Sequence, residues 1–199
     1  MPSPVERALA LLEAVPVARS KELEEAGLSR SQIQRLHEQG VLERVARGLY
    51  RLPEAPATER QHLAEAARLV PDGVVCLLSA LRFHGLTTQN PFEVWMAIHQ
   101  NAWRPQVDQP PLRLVHMSGP SFEEGVEDHD LDGVPVQVFS AAKTVADCFK
   151  FRNKIGVDVA VEALRDFRRL HPKELEAVWR FAEVNRVGRV VAPYLEGLG

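Results

Sequence analysis

The chain has 199 residues, 45% of them hydrophobic and 26% charged, enough for one small domain and one of medium size. A formal net charge of −3 excludes a protein that coats nucleic acid over its whole surface, while leaving room for a local basic face. No apolar run approaches the roughly 18 residues that span a bilayer. The acidic, amphipathic start MPSPVERALALLEA does not read as a signal peptide, so a cytoplasmic protein without membrane contact is expected.

Val5, Ala8, Leu9, Leu12 and Val15 form an apolar stripe at helical spacing, which predicts a helix from Pro4 to Ala14 that Pro16 stops. Ser20 is placed to cap a short second helix, SKELEEAG, that ends at Gly27. Ser29 caps a third, with Gln32 completing a capping box, and Gly40 ends it. Residues 41–45 then alternate as a strand, 46–48 turn, and 49–52 alternate back. Two short helices joined at a glycine, after a supporting helix and before a tight hairpin, make a winged helix-turn-helix over residues 1–53.

In the third helix Ile33 and Leu36 face inward beside Leu28, which leaves Arg30, Ser31, Gln34 and Arg35 on the other faces. Arginine and glutamine make bidentate contacts with guanine and adenine edges, and the N-terminal half of such a helix is the part that enters the major groove. Arg44, Arg47 and Arg51 put positive charge on or beside the hairpin, where phosphates would lie. From Ser29 to Leu52 five arginines face two glutamates, a net of +3; from Met1 to Leu28 three bases face five acids, a net of −2. The basic side therefore coincides with the expected DNA contact. The same fold also serves protein contacts, and on that reading these are solvated side chains.

A Pro/Ala linker at 54–58 separates this domain from a larger one at 59–199, and Thr58 with Gln61 begins a helix to about Leu69. Ser79 starts a short helix closed by Gly85. Strands are expected at Glu93–His99, Leu112–Met117, Val126–Asp130 and Val134–Phe139, the last two joined by the hairpin signal Asp132-Gly133. Ser140 caps a helix to about Phe151, and more follow at Val157–Arg169, Pro172–Asn185 and Val190–Leu198. Antiparallel strands and then a run of helices make the domain, and the chain, α+β.

Asp128 and Asp130 resemble the paired aspartates that hold magnesium in nucleotidyltransferases, but the glycine-serine turn that should precede them is absent, and a solvated hairpin face accounts for them. The seven histidines show no metal-ligand spacing, and Cys76 and Cys148 read as buried thiols. Lys143 reads as a surface lysine. Catalytic residues, metal and cofactor are accordingly expected to be none. Trp95 reads as core, and Trp103, in a polar loop, as the candidate partner contact.

Ala18-Arg19 through Gly27-Leu28, and then Gly40-Val41-Leu42-Glu43-Arg44-Val45-Ala46-Arg47-Gly48-Leu49-Tyr50, resemble the N-terminal domain of the AbiEi antitoxin family. Cys76–Leu81 with Leu86-Thr87, and Phe139–Phe149, resemble its later part. The resemblance implies a transcriptional autorepressor that binds repeated half-sites in the promoter of a two-gene operon. It also implies a nucleotidyltransferase-type toxin as functional partner, opposed through the C-terminal domain without a stable complex. Two other readings stand beside it: a module that binds a toxin or other partner directly, with the winged helix as scaffold, and a magnesium-dependent nucleotidyltransferase using Asp128 and Asp130.

Overall fold

The computed structural model describes residues 2–53, 58–102 and 110–197. Most of the expected linker, residues 54–57, and the candidate contact Trp103 lie outside them. The chain packs as two compact units. One is Met1–Pro71 with Pro105–Leu112 and His129–Val136; the other is Asp72–Arg104 with Arg113–Asp128 and Gln137–Gly199. The fold is mixed α+β, with helices leading and a larger sheet-containing region behind.

In the first unit, α1 (Pro4–Ala14) begins with a capping box between Ser3 and Glu6 and presents Ala8 and Leu12 to the core. A two-residue strand, β1 (Ala18–Arg19), which the sequence did not suggest, leads into α2 (Ser20–Glu25). Ser20 is the first residue of that helix rather than its cap, and it faces back: its N–H donates to the Gly48 carbonyl at 2.8 Å and its hydroxyl at 3.4 Å. Gly27, at φ +89°, closes α2 and turns the chain into α3 (Arg30–Glu38), capped by Ser29 and Gln32 as expected. The strands β2 (Glu43–Ala46) and β3 (Leu49–Arg51) form the hairpin, and β1 adds to the far side of β3 in the order β1-β3-β2. Leu12, Leu23, Leu28, Ile33, Leu36, Leu42 and Tyr50 share one core. Each such large apolar side chain is worth about 1.5–3 kcal/mol in removal from water.

The helix α4 (Glu59–Leu69), capped by Thr58 and Gln61, belongs to this first unit and not to the second. The physical reason lies in two ion pairs of α4: Glu65 with Arg51 at 2.9 Å, and Arg68 with Glu22 at 2.5 Å. The compact units divide at Pro71/Asp72, whereas the sequence places its linker at 54–58.

The later part opens with β4 (Val74–Val75) and α5 (Leu77–Phe83). Ser79 does not cap α5, whose N-cap is Cys76; its buried hydroxyl accepts the backbone N–H of Trp95 at 2.9 Å. Then come β5 (Val94–His99), β6 (Leu112–Met117), α6 (Pro120–Glu123), β7 (Val126–Leu131) and β8 (Val134–Phe139). The sheet order is β6-β5-β4-β8-β7. It is not purely antiparallel, because β4 pairs parallel with β8 through Val75 and Val138. Two residues of strand carry that pairing, too few for any sequence periodicity. Asp132 (φ +54°) and Gly133 (φ +79°) make the two-residue hairpin turn that the sequence announces.

The helices α7 (Ala141–Lys150), α8 (Arg152–Ile155), α9 (Val157–Leu170), α10 (Leu175–Val184) and α11 (Gly188–Glu196) complete the fold. Phe139, Val145, Phe149, Leu164, Phe167, Phe181 and Val191 are among the residues of their shared core. Within it lies a polar network. Lys143 is completely buried, contrary to the surface position expected, and its Nζ donates to both oxygens of Asp147 at 2.6 Å. Asn185, the C-cap of α10, donates to Asp147 at 2.6 Å and accepts from the Ser121 hydroxyl at 2.9 Å, while Lys150 donates to Ser121. Burial pushes the Asp147 carboxyl above its ordinary range and Lys143 opposes that shift. At Gly125 a Cβ would stand 2.9 Å from the Lys143 Cβ and from the Phe181 ring, so glycine there lets the chain pass the network. Among the described residues no helix is long and apolar enough to cross a membrane.

Removing one member of this buried pair leaves the other charge without compensation. Asp147→Ala is expected to cost about 3–5 kcal/mol, and joint replacement by Lys143→Met and Asp147→Leu to recover most of it. Urea unfolding midpoints of the two variants check this, and equal losses would exclude the ion pair as the cause.

Candidate nucleic-acid interface

The two buried residues of α3, Ile33 and Leu36, hold it against Leu23 and Leu28, so the helix has one fixed outward face. Arg30, Ser31, Gln34 and Arg35 are all exposed on it. Arg30 Nε donates to Glu24 Oε1 of α2 at 2.7 Å, Gln34 donates to Glu38 at 2.9 Å, and the Ser31 and Ser29 hydroxyls stand 3.0 Å apart. The hydrogen bond to Glu24, followed by its charge, raises the Arg30 guanidinium above its ordinary value. At the other end of α3, His37 Nδ1 meets the Leu42 carbonyl at 3.1 Å and its ring lies edge-on to Tyr50. These contacts connect the helix to the hairpin. Between α2, α3 and Tyr50 lies an open cleft of about 500 Å³, edged by Lys21, Glu24, Arg30 and Gln34.

Arg44 and Arg47 are exposed on the hairpin. Arg44 Nε donates to the Ala46 carbonyl at 3.3 Å across a bulge between Arg44 and Ala46, and Arg47 sits in the turn beside Gly48, whose φ is +73°. Gly48 supplies the left-handed turn residue that brings β3 back antiparallel.

Arg51, expected at the DNA with the other arginines, is engaged within its own fold. Its Nε and Nη2 grip Glu43 at 2.8 and 3.1 Å, and its Nη1 donates to Glu65 at 2.9 Å. Glu65 is only 2% exposed. With hydrogen bonding to Glu43 as the largest cause, the guanidinium is held well above its ordinary value. Three of its five N–H groups are used in these bonds and its charge is matched by two carboxylates, so it is held inside its own fold rather than on the exposed face. Arg35, Arg44 and Arg47 make no ion pair among the described residues.

Other candidates are placed apart from this face in the sequence and differ in kind. Asp128 accepts from Gln137 at 3.2 Å and Asp130 accepts the Gly133 N–H at 2.9 Å, so both serve the β7–β8 hairpin. Among the described residues no group of three or more His, Cys, Asp or Glu could hold a metal ion. Trp95 is buried, with the Arg113 guanidinium 5.6 Å from its ring centre. Cys76 and Cys148 are buried free thiols whose desolvation pushes their ionisation far up. Sequence reasoning missed Glu24 and Glu65 as partners of Arg30 and Arg51. Each pair joins two elements, and periodicity within one element carries no signal of it.

Residues 6–53 match the AbiEi antitoxin family of transcriptional regulators. The match covers the first three helices and the hairpin, and with them every residue of the exposed basic face. No curated protein matches the sequence. Among solved structures the chain is similar to the crystal structure of the RV2827C protein from Mycobacterium tuberculosis, at 15% identity and a TM-score of 0.56, over 93% of this chain and 76% of that one. At that identity the likeness is one of fold.

Arg51→Ala is expected to act on stability, lowering it by about 3 kcal/mol because Glu65 is left buried and unpaired. Thermal unfolding measures that loss, and the salt dependence of any DNA binding should be unchanged by it.

Proposed function

We propose that the N-terminal helices and hairpin work as a winged helix-turn-helix, and that the chain is a sequence-specific autorepressor and antitoxin of a toxin–antitoxin operon. The observation that carries this is that Arg35 of α3 and Arg44 and Arg47 of the hairpin are exposed and make no ion pair among the described residues, inside the residues that match the regulator family. On this reading α3 enters the major groove, with Arg30, Ser31, Gln34 and Arg35 toward bases and flanking phosphates. Arg44 and Arg47 hold the backbone.

One such domain covers a short site, so two copies on repeated half-sites of the promoter are expected for useful affinity. The functional partner is a nucleotidyltransferase-type toxin, opposed through the C-terminal region. The family match supports the regulator and antitoxin role in general, and the finer assignments are drawn from the residues. A protein with these roles works in the cytoplasm and needs no metal or cofactor.

The test is a gel-shift titration on the DNA upstream of the protein's own gene, against unrelated competitor DNA and at two salt concentrations. A specific, salt-sensitive shift is expected. Arg47→Ala should weaken binding to all sequences and reduce the salt slope by about one. Arg30→Ala with Arg35→Ala should remove the preference for the promoter. Absence of any preference in the unaltered protein would overturn the autorepressor and leave direct binding of a protein partner.

A further inference from the structure

Arg30 is 90% exposed in its side chain, yet it does not hang free. Glu24, two-thirds shielded from water, takes only its Nε edge, at 2.7 Å. No other hydrogen bond holds the guanidinium among the described residues, so its Nη N–H groups remain available. The Glu24 carboxylate has no other partner among the described residues, and the nearby Lys21 pairs with Glu25 at 3.6 Å. The turn at Gly27 and the bond from Leu28 N–H to the Leu23 carbonyl at 3.0 Å fix α2 against α3, which fixes Glu24 beneath Arg30.

We infer that Glu24 is a positioning residue that holds the Arg30 fork end-on for a single guanine in each half-site. The inference rests on the DNA-binding reading above. A guanine presents O6 and N7 side by side in the major groove, and two parallel N–H donors of an arginine match that pair. A free arginine must give up rotamer freedom to reach that geometry, whereas one gripped at Nε has its plane already set. A carboxylate close to a DNA-facing surface repels phosphate, so its presence would weaken non-specific binding while sharpening base choice.

The experiment replaces each promoter guanine in turn by 7-deazaguanine, which lacks the N7 acceptor, and titrates the full-length protein and its Glu24→Ala, Glu24→Gln and Arg30→Ala variants. The unaltered protein should lose about tenfold in affinity at one guanine per half-site, and Arg30→Ala nothing at that guanine. Glu24→Ala should reduce the loss to about twofold while binding unrelated DNA as well as before or better. Glu24→Gln, which keeps an acceptor oxygen, should retain part of the discrimination. A Glu24 that merely clamps α2 to α3 would lower the unfolding temperature and leave the tenfold loss intact, which overturns the inference and spares the DNA-binding reading. Tighter promoter binding by Glu24→Ala with undiminished discrimination would overturn it too. If the unaltered protein shows no promoter preference, the inference falls together with that reading.

Discussion

Arg51 stands between a half-exposed glutamate of its own hairpin and a glutamate that α4 has carried almost entirely out of water. A buried carboxylate without a counter-charge is among the most costly features a fold can contain, so Arg51 is fixed to Glu65, and Glu43 is fixed to Arg51. The position of the hairpin relative to α4 follows from that constraint. So does the charge of the exposed face, because the arginine nearest the end of β3 is neutralised inside the fold. The basic character left outside belongs to α3 and to the tip of the hairpin.

The local parts of this design were legible in the sequence because they depend on neighbours three or four residues away. The boxes Ser29/Gln32 and Thr58/Gln61, the stop at Pro16 and the Asp132-Gly133 turn all appear where the spacing puts them. The exposed face of α3 is legible for the same reason, since Ile33 and Leu36 leave only one side for the polar residues. Pairings across long separations carry no such mark. The strands β1 and β4 are two residues each, and they exist because β3, β5 and β8 offer edges to them. The division at Pro71/Asp72 leaves no mark in the sequence, where a Pro/Ala stretch looks like a linker, because the ion pairs that bind α4 to the first unit cannot be seen in a one-dimensional pattern.

Lys143 and Asp147 show the same limit in the second unit. A lysine one turn into a helix with an acid four residues later is the ordinary signature of a solvated pair. Here the pair is completely buried, with Lys143 Nζ 4.2 Å from the centre of the Phe139 ring, and its remaining hydrogen bonds come from Asn185 and, beyond it, Ser121 and Lys150. A network of this kind stabilises less than apolar packing of equal volume, but it is intolerant of any arrangement in which one member is misplaced.

The turn of the hairpin is tied at Gly48, whose carbonyl receives both the N–H and the hydroxyl of Ser20. The start of α2 and the return of the hairpin are therefore one mechanical piece, although 28 residues separate them. A loop fastened at its base has little backbone freedom to lose when something docks against it. The entropic penalty of docking is then confined to a few long side chains, on the order of 0.5–1.5 kcal/mol for each one immobilised. A partner docking on this face would therefore lose little to the ordering of the chain that carries it.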